Sequence, residues 1–475
     1  MQQLTGLDAS FLYLETDNAP MHIGGVSIID PETPNGRLGL DELRDLLQSR
    51  IRTSRTFTQR LVQVPLKLGR PYWIEDENFD INRHITRTQL PEPGGLKELS
   101  ALMAWEFGQI MDRDKPLWEL LLVEGLNTIE GIPPGSIALI SKIHHAAIDG
   151  VSGSEIMSAL YDPSPEPREI APAAPPEAGE QLSKTDLLRR SGRGLLRTPK
   201  ALTGTLGETV KGVVKSGAVW GLKRIKPPPF PFTAPRTRLN VPVSKNRSWS
   251  AAVLSLDRIK AIRHAVDATV NDVVLAVCAG ALRRYLDKSG DLPEKPLVAM
   301  VPVSVRSEDE RGTMGNQVSA MLVSLATDVD DAAERLRIIH EGATGSKVHH
   351  QAIGARTLSD YSKFIPFGLA GVGARLYTRM DLAEKHRPIF NLVITNVPGP
   401  QIPLYVAGAR LIAHVGAAPI FDGMGLILPI FSYAGRLAIG ATSSREIMPD
   451  IDVFTGFLSE SLDELEAAIL PKDDD

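Results

Sequence analysis

The sequence predicts an α/β protein of two globular domains joined by a long connection, and three observations carry that prediction. Strand-like and helix-like segments alternate along the chain. At 475 residues, 43% of them hydrophobic, the chain can bury two sizeable cores and exceeds one ordinary domain. Between them the composition changes to a proline-rich run (Pro163, Pro165, Pro167, Pro172, Pro175 and Pro176), then a basic one that stops at Pro227, Pro228 and Pro229. The expected division is an N-terminal domain over 1–162, a linker containing a helix over 163–246, and a C-terminal domain over 247–475.

Each element has its own local cause. Residues 40–51 place apolar side chains at helical spacing, and 117–123 read as a buried strand opening after Lys115-Pro116. After the Pro133-Pro134-Gly135 turn, 136–142 alternate as a strand, and Ser152 or Ser154 can cap a helix running to Tyr161. Beyond the linker, 248–256 are strand-like. The span 268–286 is a strong helix with Asn271 and Asp272 in its first turn and Arg283 and Arg284 in its last, matching the helix dipole. Residues 297–305 form a strand ending at Arg306, 390–397 and 437–442 form further strands, and 453–470 close the chain as a helix. No internal repeat is present at a solenoid period.

Charge and cysteine usage narrow the function classes. The net charge is -5, yet 184–226 hold eleven Lys or Arg against Asp186 and Glu208, so the rest of the chain is strongly acidic. Within that segment Val210, Val213, Val214, Trp220 and Leu222 fall near helical spacing with Lys211, Lys215 and Lys223 between them. An interfacial helix drawn to anionic lipid has this pattern, and so does a solvated linker helix; both readings stand. A nucleic-acid partner is not expected, because the protein is acidic overall and the basic run is poor in aromatics. The single cysteine, Cys278, rules out a disulfide within the chain and fits a reducing cytosol. Residues 1–11 carry Asp8 and no basic stretch, unlike a secretory signal, and no run reaches 18 uninterrupted apolar residues. The expected location is cytoplasmic.

The chemistry concentrates in residues 144–150, His-His-Ala-Ala-Ile-Asp-Gly, at a strand-to-helix junction where functional groups are commonly exposed. His145 is a neutral-pH base with a second histidine before it, Asp149 four residues on, and Gly150 to permit a close turn. Adjacent strand residues point to opposite faces, so His144 and His145 cannot readily grip one ion together, and no other His/Cys cluster has ligand spacing; no metal is expected. Acyl transfer is the chemistry most consistent with the string.

Taken with Pro116-Leu117-Trp118-Glu119, Asn271-Asp272, Gly315-Asn316 and Asn396-Val397-Pro398-Gly399-Pro400, this motif resembles the bacterial wax ester synthase/diacylglycerol acyltransferase family. The opening Leu7-Asp8-Ala9-Ser10-Phe11 and Pro20-Met21-His22 match that family's start, and the likeness runs from near residue 4 to about 465. The histidine string alone is shared with chloramphenicol acetyltransferase, carnitine acyltransferases and peptide condensation domains.

The resemblance implies two chloramphenicol-acetyltransferase-like α/β domains, each a mixed sheet with covering helices, and an active-site channel between them. It implies His145 as general base, His144 bracing the loop, Asp149 in a structural pair with an arginine, taken here as Arg306, and Gly150 as the loop turn. Asn271 is the expected oxyanion donor, although a helix N-terminal residue is an equally good reading. For Trp118 a packing role is favoured. The substrates implied are long-chain acyl-CoA and a diacylglycerol or long-chain alcohol, with no separate cofactor and with peripheral contact to the inner membrane or lipid droplets. The alternatives are a non-catalytic acyl-CoA or lipid-binding relative, and an acyltransferase acting on another alcohol or an amine.

Overall fold

The computed structural model describes residues 2–471 except 35, 66–68, 149–151, 170–228, 305–317 and 354–385. The proposed helix at 210–222 therefore lies outside the described residues. Helices α1 (Gly6–Leu14), α2 (Leu40–Arg50), α3 (Leu96–Phe107) and α4 (Ser152–Leu160) belong to the N-terminal half. Its strands in the large sheet are β1 (His22–Asp30), β2 (Ile85–Gln89), β3 (Trp118–Leu126) and β4 (Ser136–His144), beside short strands in a three-stranded and a two-stranded sheet. The C-terminal half has β5 (Arg247–Ser255), α5 (Leu256–Ala265), α6 (Val270–Lys288), β6 (Val298–Ser304), β7 (Val318–Ser324) and α7 (Ala332–Ile353). It continues through β8 (Leu392–Pro398), β9 (Tyr405–Val406), β10 (Ala409–Ala417), β11 (Leu426–Tyr433), β12 (Arg436–Ser444) and α8 (Ile451–Ile469).

These strands build two mixed six-stranded sheets, ordered β9-β10-β1-β4-β3-β2 and β5-β12-β11-β8-β6-β7. The two-sheet α/β architecture is the one expected from sequence. In the first sheet residues 137–140 of β4, Ile-Ala-Leu-Ile, are apolar without alternation because both faces of the strand are covered there. Leu139 and Ile143 pack with Leu43 and Leu47 of α2, whereas Ala138 and Ile140 pack with Met103 and Phe107 of α3. The second sheet is covered by α6, whose residues 273–282 are buried on every side. That explains a helix apolar all round without a membrane. Among the described residues no single helix is long and apolar enough to cross a membrane; α5 and α6 pass only as a pair bent by 106°.

The domain limits drawn from sequence need one correction. Strands β9 and β10, placed by number in the C-terminal domain, complete the N-terminal sheet: β10 runs antiparallel to β1 with Ala417 opposite Gly24 and His414 opposite Ser27. Asp162 and Tyr405 exchange backbone hydrogen bonds of 2.8 and 2.9 Å, which hold the crossover in place. The buried Arg50 guanidinium donates to Asp162 at 2.8 Å from below. Gly440 of β12 has a reason of its own, since a Cβ there would strike the carbonyl of Gly416 on β10 where the two sheets meet. The sheets are thus joined by shared chain as well as by packing.

Candidate active site

Strand β4 delivers the histidine pair. It lies antiparallel to β1, with His22 opposite His144, and its end is fixed where the His145 N–H donates to the Met21 carbonyl at 2.8 Å. The chain then leaves the sheet in one tight turn over residues 145–147. Strand alternation sends the two rings to different surroundings.

The His144 ring is fully buried and held at both nitrogens. Its Nδ1 accepts from the Ala146 N–H at 3.0 Å, and its Nε2 lies 3.0 Å from Glu15 Oε2. Glu15, just past α1, also accepts from Arg113 Nε at 3.1 Å and from the Met21 N–H at 3.1 Å. Burial alone would raise its pKa; hydrogen bonding to His144, the pull of that ring's N–H, and the charge and hydrogen bond of Arg113 outweigh that and hold the carboxyl down at about 2. The His22 ring is buried without a partner for either nitrogen among the described residues, and burial, helped by the nearby Lys142 charge, lowers it to about 3. Lys142 itself bridges Glu119 at 2.8 Å and Glu106 at 2.9 Å.

His145 faces the other way. Its ring stacks on Phe11 of α1, with centroids 3.8 Å apart and planes 12° from parallel. Burial drives its pKa down to about 4; its own backbone carbonyl offsets part of that, and His144 adds to it. Nδ1 is buried with no hydrogen-bond partner among the described residues, so the nitrogen left for chemistry is Nε2. At neutral pH this imidazole is uncharged and can accept a proton.

The ring lines a cavity of about 630 Å³, within the range of roughly 300–1,000 Å³ usual for small-molecule sites. One wall comes from α1, α4 and the first sheet, including Phe11, Trp118, Ile143 and Met157. The other comes from the second sheet, including Met300, Pro302, Val393, Thr395 and Phe431. The walls are overwhelmingly apolar, which suits hydrocarbon chains better than sugars or nucleotides. Among the described residues no three His, Cys, Asp or Glu side chains converge to hold a metal ion.

Asp149, Gly150 and Arg306 lie outside the described residues. Asn271 is half-buried in the first turn of α6 and is not among the residues lining the cavity, so the structure does not bring it together with His145. That turn serves the helix instead: Asp272 accepts from the Thr269 N–H at 2.9 Å and from His340 at 2.8 Å. Trp118 packs as expected, its Nε1–H donating to the Phe57 carbonyl at 3.0 Å while its ring stacks on His84 at 4.4 Å. Sequence reasoning missed Glu15, Phe11 and Thr395. Phe11 closes the opening block already singled out by its resemblance, though no role was read for it, and Glu15 stands four residues beyond, so that block held the available signal. Thr395 is the one polar side chain the second sheet contributes to the described lining.

Residues 4–274 match the wax ester synthase/diacylglycerol acyltransferase catalytic domain, and residues 314–466 match the WS/DGAT C-terminal domain. A Mycobacterium tuberculosis chain provisionally named a diacylglycerol O-acyltransferase is 34% identical over 98% of this chain and 90% of its own length. The O-acyltransferase WSD of Acinetobacter baylyi is 33% identical over 100% of this chain and 99% of its own. The solved wax ester synthase/diacylglycerol acyltransferase of Marinobacter aquaeolei superposes with a TM-score of 0.70 at 32% identity, covering 99% of this chain and 100% of that one. A condensation domain of the CDA synthetase shares the fold alone, at a TM-score of 0.55 and 15% identity. With both halves of the chain matched in order and the paired histidines set on a cavity between two sheets, this protein belongs to the wax ester synthase/diacylglycerol acyltransferase family.

Proposed function

We propose that this chain transfers a long-chain acyl group from acyl-CoA to the hydroxyl of a diacylglycerol or a long-chain alcohol, with His145 as general base. The observation that carries the reading is a buried imidazole that lines an apolar cavity built by both sheets, its Nδ1 sealed without a partner among the described residues, which leaves Nε2 as the nitrogen for the chemistry. Nε2 takes the proton of the acceptor hydroxyl as that oxygen attacks the thioester carbonyl. The tetrahedral oxyanion collapses, the C–S bond breaks, and the imidazolium returns the proton to the CoA thiolate. Atoms and charge balance without a covalent acyl-enzyme, and acyl-CoA is a substrate, so no further cofactor enters the scheme.

In this mechanism His144 and Glu15 position the loop, and Phe11 holds the plane of the base. Thr395 replaces Asn271 as the proposed donor to the oxyanion, because it lines the cavity and carries an O–H that can donate. Asp149, Gly150 and Arg306 keep the roles the family resemblance implies. Peripheral contact with membrane or droplet lipid is assigned to the basic segment at Lys211, Lys215, Lys223 and Arg224; replacing these by Gln is expected to weaken binding to anionic vesicles, as is added salt.

The decisive experiment measures CoA release from palmitoyl-CoA with diolein, hexadecanol or a short alcohol, in wild type and His145→Ala. The variant is expected to lose about 10²- to 10⁴-fold in kcat while unfolding normally. Equal rates in both proteins would remove His145 as the base, and a preference for the short alcohol would overturn the lipid acceptor.

A further inference from the structure

The cavity holds a second histidine that the chemistry above does not use. His414, on β10, lines the same cavity as His145. Its Nδ1 is 2.9 Å from Ser27 Oγ, and that hydroxyl is 2.5 Å from the Tyr161 hydroxyl. Phe431 meets the ring edge-on, with centroids 5.0 Å apart at 71°. Nε2 has no hydrogen-bond partner among the described residues, and the imidazole's burial lowers its pKa to about 4. An uncharged ring nitrogen is thus left to an apolar space, a placement that costs stability unless a ligand or water completes it.

Register fixes how deep this group lies. His145 is tied to Met21, and Ser27, opposite His414, stands six residues further along the same chain, about 20 Å at strand spacing. Of the other polar groups of the lining, Glu119 is paired with Lys142, and Tyr161 is bonded to Ser27. The hydroxyls of Tyr161 and Ser27 can each donate or accept, so the chain from Tyr161 through Ser27 to His414 can set Nε2 either as a donor or as an acceptor.

We propose that His414, held by Ser27 and Tyr161, is a specificity residue that receives a hydroxyl or keto group carried far down a long hydrocarbon chain whose other end reacts at His145. The inference rests on the acyl-transfer reading and names a substrate class for it: oxygenated long-chain acyl groups or alcohols. The ring bonds to the chain and plays no part in the proton transfer.

The test compares kcat/KM for ω-hydroxypalmitoyl-CoA against palmitoyl-CoA with hexadecanol as acceptor, and separately for the α,ω-diol of hexadecane against hexadecanol with palmitoyl-CoA as donor. A dry apolar tunnel would penalise the buried hydroxyl by about ten- to a hundredfold. The wild-type protein is expected instead to use the hydroxylated chain at least as well as the plain one in one of the two arms, which then shows whether donor or acceptor occupies the pocket. His414→Phe is expected to lower that ratio at least tenfold, and His414→Gln, which keeps a hydrogen-bonding group, to restore part of it. Discrimination of tenfold or more against the hydroxylated chain in both arms of the wild type, with plain chains turning over, would overturn this inference alone. Absence of turnover with every chain would overturn the acyl-transfer reading beneath it as well.

Discussion

Glu15 and His144 stand 129 residues apart in the chain and 3.0 Å apart in the fold. A backbone N–H can only donate, so the Ala146 contact makes His144 Nδ1 an acceptor and assigns the ring proton to Nε2, which donates to Glu15. The carboxylate thereby sets the orientation of the residue next to the proposed base, His145. Glu15→Gln can still accept one of these bonds but places an amide among donors from Arg113 and Met21. Loss of a charge-assisted bond is worth about 1.5–3 kcal/mol, so kcat is expected to fall roughly 10- to 100-fold with KM changing much less. A rise in KM with kcat intact would assign Glu15 to substrate binding instead.

The pH profile of the reaction follows from the neutral base. His145 titrates at about 4 because it is buried, well below its ordinary 6.5. Protonation removes the acceptor lone pair, so kcat/KM is expected to stay level through pH 6 and to fall only as pH approaches 4. An acid limb centred near 6.5 would mean that the ring is solvated in the free enzyme.

Acid stability has the same sign. His22, His145 and His414 are depressed to about 3, 4 and 4 by burial, and Glu15 to about 2. In each case the unfolded chain binds protons more readily than the folded one, so stability is fully present above the unfolded values and is lost as pH falls toward the folded ones. The unfolding temperature is expected to drop steadily between pH 6.5 and pH 4, by at least several degrees. His22→Phe, which removes a buried ring that resists protonation, is expected to flatten part of that slope; an unchanged slope would place the sensitivity elsewhere.

Thr395 separates shape from hydrogen bonding. Thr395→Val keeps the volume and removes the donor, and is expected to lower kcat by about 10²- to 10³-fold if that hydroxyl faces the oxyanion. Thr395→Ser restores the donor and is expected to recover most of the rate. Equal activity of the two variants would return the oxyanion to a donor other than this side chain.

The sequence alone determined the α/β class, the position of β4 and its histidines, and helix α6 with its apolar run at 273–282, because each depends on local periodicity, caps and turns. Hydrophobic spacing along a few residues decides those features wherever the chain later packs. It did not show that β10 crosses into the first sheet, since Arg410, Ile412, His414 and Gly416 form a short, ambiguous run whose meaning comes only from pairing with β1. Nor could it bring Glu15 to His144, Phe11 to His145, or Ser27 to His414, for side chains hundreds of atoms apart meet only when long-range strand pairing and burial fix them. Asn271 makes the converse point: a polar residue in a recognised motif was spent on a helix start, while the cavity took Thr395 from a strand with no polar signature of its own. Local forces chose the elements, and the closure of two sheets around a shared strand chose the site.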